Sequence, residues 1–355
     1  MDKTALMSSR DRRDLFEAAA AKRGLHPAVM EKDFWVCWIL QKLFASPAHG
    51  PHLVFKGGTS LSKVYGLIDR FSEDIDLVLN WTLLGYGAPG RDPWEEQPSN
   101  TQRNRLNAEI NEAAAQYLAN VFRPSLAHLL APVPGIEATV SDREELSINI
   151  RYPAAFNLAA LRPEIRLEIG PLASWIPSSR QTIRPYAAES YPRLFANPEC
   201  TVMTILAERT FWEKATILHQ QAHQPRSIPP HYSRHYYDLY RMADSPVRQT
   251  ALREMQLLAD VVRFKQIFYR CPWARYEDAK PGTLRLLPST KGNKELIADY
   301  RHMRPMFFRE PPAWEAILAG LAQLETEINA LEAEACKPSP GVGSVHETSR
   351  DATRF

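Results

Sequence analysis

The sequence predicts an α/β fold, a small mixed sheet with N-terminal helices and a C-terminal helical domain, and three observations carry that prediction. Residues 52–79 run strand, double glycine, helix, strand. Three more short segments between 136 and 169 have the look of strands. On either side the apolar residues recur at helical spacing.

In chain order, Asp11 to Lys22 is alanine-rich, and Pro27 to Leu43 sets Val29, Phe34, Val36, Cys37 and Leu40 near helical spacing, so both are expected to be helices of a packing layer. His52 to Phe55 is a short apolar strand, which Gly57 and Gly58 break. Ser60 to Ile68 resumes a helical period through Leu61, Val64, Tyr65 and Ile68. Glu73 to Leu79 alternates as a strand does, with Ile75, Leu77 and Leu79 on one face. Asn80 to Asn100, rich in Gly, Pro and Trp, reads as a loop, and Gln102 to about Val121 as a helix. The three later strands are Ile136 to Val140, Leu146 to Arg151 and Glu164 to Ile169. From Thr201 to the mid-330s the pattern reads almost wholly as helix. The expected domains are therefore 1–195, with the sheet and the helical layer, and 196–336, a helical domain closing the cleft; 337–355 lacks any apolar period and is expected to be a flexible tail.

Composition narrows the class. At 355 residues, 45% hydrophobic and 24% charged, the chain has the make-up of an ordinary globular protein. No apolar run approaches the ~20 residues that span a bilayer, and the start of the chain is charged, so no membrane partner and a cytoplasmic location are expected. The four cysteines, Cys37, Cys200, Cys271 and Cys336, form no CxxC pair and suggest neither a disulfide framework nor a thiolate zinc site. His219 and His223, in HQQAH, have the spacing of two zinc ligands on a helix but lack the zincin glutamate, and a surface or nucleic-acid role is the expectation. Charge is uneven: Val261 to Arg309 holds eleven Lys or Arg against four acids, a net of +7. Phe264, Phe268, Tyr269, Trp273, Tyr276, Tyr300 and Phe307 are interleaved there, as a surface that neutralises phosphates and stacks on bases would require.

The chemistry concentrates in Phe55 to Leu79, FKGGTSLSKVYGLIDRFSEDIDLVL. Gly57 and Gly58, followed by Thr59 and Ser60 at a helix start, would let backbone N–H groups and hydroxyls approach phosphate oxygens, a cradle for an NTP to which Lys63 is added. Asp74 and Asp76 are two apart on a strand, so both carboxylates leave one face and repel each other. Mg²⁺, a hard ion with oxygen ligands, relieves that repulsion, and two ions are expected. Glu168, on the polar face of its strand with Glu164 and Arg166, is the expected third acid, as ligand or base. Arg70 and Ser72 would either orient the aspartates or cap the strand. No Walker A lysine and no kinase HRD set is present.

With these segments the chain resembles the AbiEii family of nucleotidyltransferase toxins, within the polymerase-beta-like superfamily. The likeness rests on EKDFW at Glu31 to Trp35, KGGTSLSK, RFSEDIDL, LEIG, AERTFWEKATILH, RHYYDLYRM and ADYRHMRPMFF. It implies a nucleotidyltransferase-like sheet, phosphate binding at Gly58 and Thr59, metals at Asp74 and Asp76, a phosphate contact at Lys214 and a functional acid at Asp238. It also implies transfer of NMP to an acceptor, with RNA, and the tRNA 3′ end in particular, as the expected one, and a cognate antitoxin, often a winged-helix DNA-binding protein. Lys214 has independent support, because its helical neighbours Ala207, Thr210, Phe211, Ile217 and Leu218 make a mostly apolar face, where a lysine must snorkel out or meet an anion. Asp238 read alone, beside Arg234 and Arg241, would be a structural ion pair. Two other functions fit the same residues: a phosphotransferase of this fold, and a nucleotide-binding toxin without turnover.

Overall fold

The structure is a computed structural model that describes residues 1–335 apart from 73, 142–145 and 159–160. The tail expected at 337–355, and Glu73 at the start of its strand, lie outside the described residues. Helices α1 (Asp2–Ala5), α2 (Ser9–Arg23) and α3 (Pro27–Ala45) lead into β1 (Leu53–Lys56), α4 (Gly57–Lys63) and β2 (Ile75–Leu79). Then come α5 (Asn100–Tyr117), α6 (Arg123–Leu130), β3 (Glu137–Val140), β4 (Ser147–Arg151), β5 (Glu164–Gly170), β6 (Ser178–Ile183), α7 (Tyr186–Ser190) and β7 (Cys200–Ile205). The rest is helical: α8 (Ala207–Ala222), α9 (Ser233–Ala243), α10 (Val247–Arg253), α11 (Met255–Phe268), α12 (Thr290–His302) and α13 (Trp314–Ala335).

The seven strands form one mixed sheet in the order β3-β4-β5-β2-β1-β7-β6. Its β1–β2 pair is antiparallel, and β5 and β7 flank that pair in parallel. Alternation sends Phe55, Ile75, Leu77, Ile165 and Leu167 to one face, where they meet Phe34, Trp35 and Trp38 of α3 in the larger core. Burying each such side chain is worth roughly 1.5–3 kcal/mol. α3 is apolar nearly all round because α2 covers its other side; Ser8 caps α2, and His26 caps α3 with Pro27 in its first turn. A second core joins α8, α9, α11, α12 and α13, and it takes Leu61 of α4 and Ile68 from the following loop. α4 is thus wedged between the two cores, and the polar sheet face beside it carries the site.

Three expectations need correction. Thr201 does not start a helix, because Cys200–Ile205 is β7, inserted between β1 and the edge strand β6; the helix with Lys214 begins at Ala207, and the sheet runs past residue 195. Helix α5 does not stop near Val121 but passes through a π-turn at Leu118–Phe122 into α6. The wider turn absorbs the N–H that Pro124 lacks. Helix α4 ends at Lys63, so Val64 to Asp74 is a connection and Asp74 stands just ahead of β2.

Lys63 is also turned away from the acids. Its Nζ lies 2.6 Å from Asp33 Oδ1 on α3 and 3.6 Å from the Tyr186 ring centroid, with both charged side chains about 5% exposed or less. Burial works against the ammonium, but Asp33 more than offsets it and its pKa is raised. Lys63→Met should therefore lower the unfolding free energy by ~3–5 kcal/mol, because Asp33 is left buried without its cation. Urea denaturation checks this, and NTP affinity of the folded fraction should be unchanged.

Candidate active site

The strand registers bring the acids together. Asp76 pairs with Lys56 on β1 and with Glu168 on β5, so these three side chains share one face. Gly57 makes room for them: its φ is +78°, and a Cβ there would lie 1.8 Å from Asp76 Oδ2. A Cβ on Gly58 would stand 2.8 Å from both Arg70 Nη2 and Ser72 Oγ. The double glycine therefore admits the carboxylate and its neighbours. Thr59 Oγ1 donates to the Asp74 carbonyl at 2.5 Å and Ser60 Oγ to the Gly57 carbonyl at 2.9 Å, and both residues are buried. Thr59 thus holds the loop that bears Asp74, and Ser60 closes the first turn of α4.

Asp76 is the electrostatic centre. Burial pushes its carboxyl up, Lys56 pulls it down, Asp74 pushes it up again, and Arg234 and Lys214 pull it down, with a net rise. Two acids in mutual repulsion opposite three cations suit a bound cation with a triphosphate. The donors are oxygens, which fits Mg²⁺. Among the described residues, however, no three acid, His or Cys groups converge closely enough to hold an ion. Arg166 Nη2 lies 3.0 Å from Asp74 Oδ2 and 2.8 Å from Glu168 Oε1, so a guanidinium stands between two of the expected ligands. Asp74, Asp76 and Glu168 are the oxygen donors here that could hold a metal.

Lys214 does meet an anion, and the anion is internal. Its Nζ is 2.7 Å from Asp238 Oδ2 and 3.2 Å from His235 Nδ1. Asp238, fully buried, also accepts from Arg70 Nε at 2.7 Å and Nη2 at 2.8 Å. Burial alone would push the Asp238 carboxyl up, but Arg70 and Lys214 outweigh it and hold it well below the usual carboxylate range. Burial lowers Lys214, Asp238 raises it and Arg70 lowers it, for a net fall. The 2.7 Å contact between Lys214 and Asp238 favours the charged form of both. Asp238 is thus an anchor for Lys214 and Arg70, and Arg70 orients Asp238 instead of the aspartate pair.

Two cavities meet at Lys56. One, of about 700 Å³, is walled by Asp76, Glu168, Ser147 and Asn111; the other, about 540 Å³, by Arg209, Glu213, Tyr232, Lys265, Arg270 and Tyr276, and Tyr269 borders both. Lys56 Nζ faces Glu213 at 3.5 Å. Burial pulls Lys265 down to about 7, with Glu213 raising it and Lys56 lowering it. Of the aromatics expected to stack on bases, Phe264, Phe268, Tyr276 and Tyr300 are buried in the cores and Phe307 packs on Tyr237, which leaves Tyr269 and Trp273 outside the core. His219 is no surface residue: its Nε2 faces the Arg275 carbonyl at 3.0 Å, and its Nδ1 accepts from Arg285 N at 3.1 Å. Both ring nitrogens are used, and neither zinc nor RNA is served there. Sequence reasoning missed Lys56, Arg166 and Arg234 as site residues. The lysine next to the double glycine and the alternation in RLE were the available signals.

Comparison with known proteins gives a family and a fold. The model of the family described as nucleotidyl transferase AbiEii toxin, type IV toxin–antitoxin system, matches residues 38–320. Among solved structures the fold is similar to that of MenT4, a nucleotidyltransferase toxin from Mycobacterium tuberculosis H37Rv, at 17% identity and a TM-score of 0.50, over 91% of each chain. No curated protein sequence matches the chain. No helix among the described residues is long and apolar enough to cross a membrane.

The Asp238 network sets a pH signature. A folded-state pKa below the unfolded value contributes stability above the unfolded pKa, ~3.9, which is lost as pH falls through the folded one. Asp238→Asn should cost ~3–5 kcal/mol at neutral pH, since two buried cations lose their counter-charge. The gap between wild type and variant should hold down to about pH 4 and narrow only below it, as read by urea denaturation across pH.

Proposed function

The chain belongs to the AbiEii family of nucleotidyl transferase toxins of type IV toxin–antitoxin systems, and from that premise we propose that it transfers NMP from an NTP to the 3′ end of an RNA, tRNA in the first place. The observation that carries the reading is Asp76, with Asp74 before it and Glu168 beside it, facing Lys56, Lys214 and Arg234. In this scheme the acceptor hydroxyl attacks the α-phosphorus, a new P–O bond forms, and the bond to pyrophosphate breaks. Mg²⁺, as two ions held by Asp74, Asp76 and Glu168, would neutralise the triphosphate and polarise the α-phosphate. Lys214, held by Asp238, and Arg234 would supply fixed positive charge to the leaving pyrophosphate, and Glu168 would serve either as a metal ligand or as the base that takes the hydroxyl proton. The work of the protein is positioning and electrostatics.

The 540 Å³ chamber beside Lys56 suits the acceptor's terminal nucleotide, with Lys265 and Arg270 for its phosphate and Tyr269 at the border. The type IV system implies a cognate antitoxin, for which we propose a winged-helix DNA-binding protein, and the cytoplasm, which holds NTPs and tRNA, as the place of action.

The test incubates the protein with Mg²⁺, each α-labelled NTP and total RNA. Label on RNA with release of pyrophosphate supports the reading. Nucleoside diphosphate as product would make it a phosphotransferase, and nucleotide binding without turnover would make it a sequestering toxin. Asp76→Asn should abolish labelling, by at least about a hundredfold, without loss of the cooperative thermal transition. Lys265→Met with Arg270→Met should weaken RNA binding and spare NTP binding. A phosphate favours charged Lys265, so RNA affinity of the wild type should fall from about pH 6 to about pH 8, and Lys265→Met should flatten that slope. A slope that persists in the variant refutes the placement of Lys265 at the acceptor.

A further inference from the structure

Arg166 ties two of the acids of the site together, and a buried amide oxygen stands across the ladder from it. On β5 its Nη2 lies 3.0 Å from Asp74 Oδ2 and 2.8 Å from Glu168 Oε1, and its Nε lies 3.4 Å from Asp74 Oδ1. The same guanidinium nitrogen thus ties an acid from the loop before β2 to an acid two residues along β5. Across the β4–β5 ladder Arg166 sits directly opposite Asn149, which places the two side chains on one face of the sheet. The Oδ1 of Asn149 is buried and accepts no hydrogen bond. A buried amide oxygen without a donor costs free energy unless another state of the protein supplies one.

We propose that Arg166 is a built-in cation that occupies the ligand set until a divalent ion displaces it, and that Asn149 Oδ1 receives the displaced guanidinium. The inference rests on the reading that Asp74 and Asp76 hold a metal, and adds a competitor to it. Two carboxylates on one sheet face repel, and a guanidinium fork answers that repulsion in the resting protein as an ion would. A hard ion takes its oxygens at 2.0–2.1 Å, so an ion that used the Asp74 and Glu168 oxygens now held by Arg166 would have to displace the guanidinium. Metal uptake is then an exchange of cations. The resting protein pays no penalty for bare acids, and free Mg²⁺ has to compete for them.

The competition has a sign that a purely structural arginine would not give. If Arg166 only holds the acids in place, removing it weakens metal binding; if it competes, removing it tightens binding. The probe is Mn²⁺ without nucleotide, followed by loss of the free-ion electron paramagnetic resonance signal. Arg166→Met should bind Mn²⁺ roughly tenfold more tightly than wild type, in keeping with loss of two partly exposed charge-assisted contacts. Arg166→Lys, which keeps the charge but loses the fork, should fall between them. Asn149→Ala should weaken Mn²⁺ binding in the wild-type background and have no effect in Arg166→Met, as a double-mutant cycle would show. Equal or weaker binding by Arg166→Met would overturn the inference, as would Arg166→Lys behaving like wild type, which would reduce the effect to a distant field. Asp76→Asn separates the layers: if it abolishes Mn²⁺ binding while Arg166→Met changes nothing, the metal reading stands and the exchange falls. No Mn²⁺ binding by wild type or by Arg166→Met would overturn both.

Discussion

A fully buried carboxylate between two buried cations fixes the geometry on which the site depends. Asp238 on α9 holds Arg70, from the connection that leads to Asp74, and Lys214 on α8. An ion buried without partners would cost several kcal/mol, so these three groups stand or fall together. The same connection is sewn to the C-terminal helices elsewhere: Arg241 pairs with Asp69 at 2.7 Å, and Phe71 N and Phe308 N bond across the Arg70–Phe307 bridge. The acids come from the sheet, yet the helical part sets where their loop lies.

Around that anchor, packing and charge converge on Asp76. Gly57 is needed because the carboxylate occupies the volume of a side chain, and the left-handed φ at that point turns the chain from β1 into α4. Thr59 and Ser60 then tie the turn to the carbonyls of Asp74 and Gly57. The cations opposite are held by other acids, Lys56 by Glu213 and Lys214 by Asp238. On the proposed reading, these fixed cations would need little rearrangement to meet a triphosphate, as electrostatic preorganisation requires.

How much of this was legible follows from where the information sits. Strands β1 to β5 were readable because a half-buried strand alternates, and the Asp-x-Asp pair with the double glycine was readable because both are local. β6, SSRQTI, carries little apolar period, and β7, CTVMTI, runs almost directly into the amphipathic α8, so neither declared itself. Lys63 was grouped with the phosphate site by proximity in sequence. Six residues along a helix is ~240° of rotation from Gly57, which points it at α3 instead. That RLE puts Arg166 and Glu168 on one face was legible; that Asp74 completes the bridge needed the parallel register of β2 with β5.

The basic segment shows the limit of counting charge. Of its cations, Lys265 neighbours Glu213 and Arg304 pairs with Glu310, both acids from outside the segment, and Arg270 bonds Asn100, while most of its rings fill the cores. A net charge of +7 over Val261 to Arg309 therefore overstates the surface open to a polyanion. What remains beside the acids is the mouth formed by Lys56, Lys265, Tyr269 and Arg270. On the proposed reading, recognition then concentrates on the last nucleotide of an acceptor, and the number of phosphates neutralised is small. On the same reading, an RNA would be selected by a free 3′ end with unpaired bases more than by the length of its duplex, because a single strand enters a chamber of about 540 Å³ more readily than a duplex does.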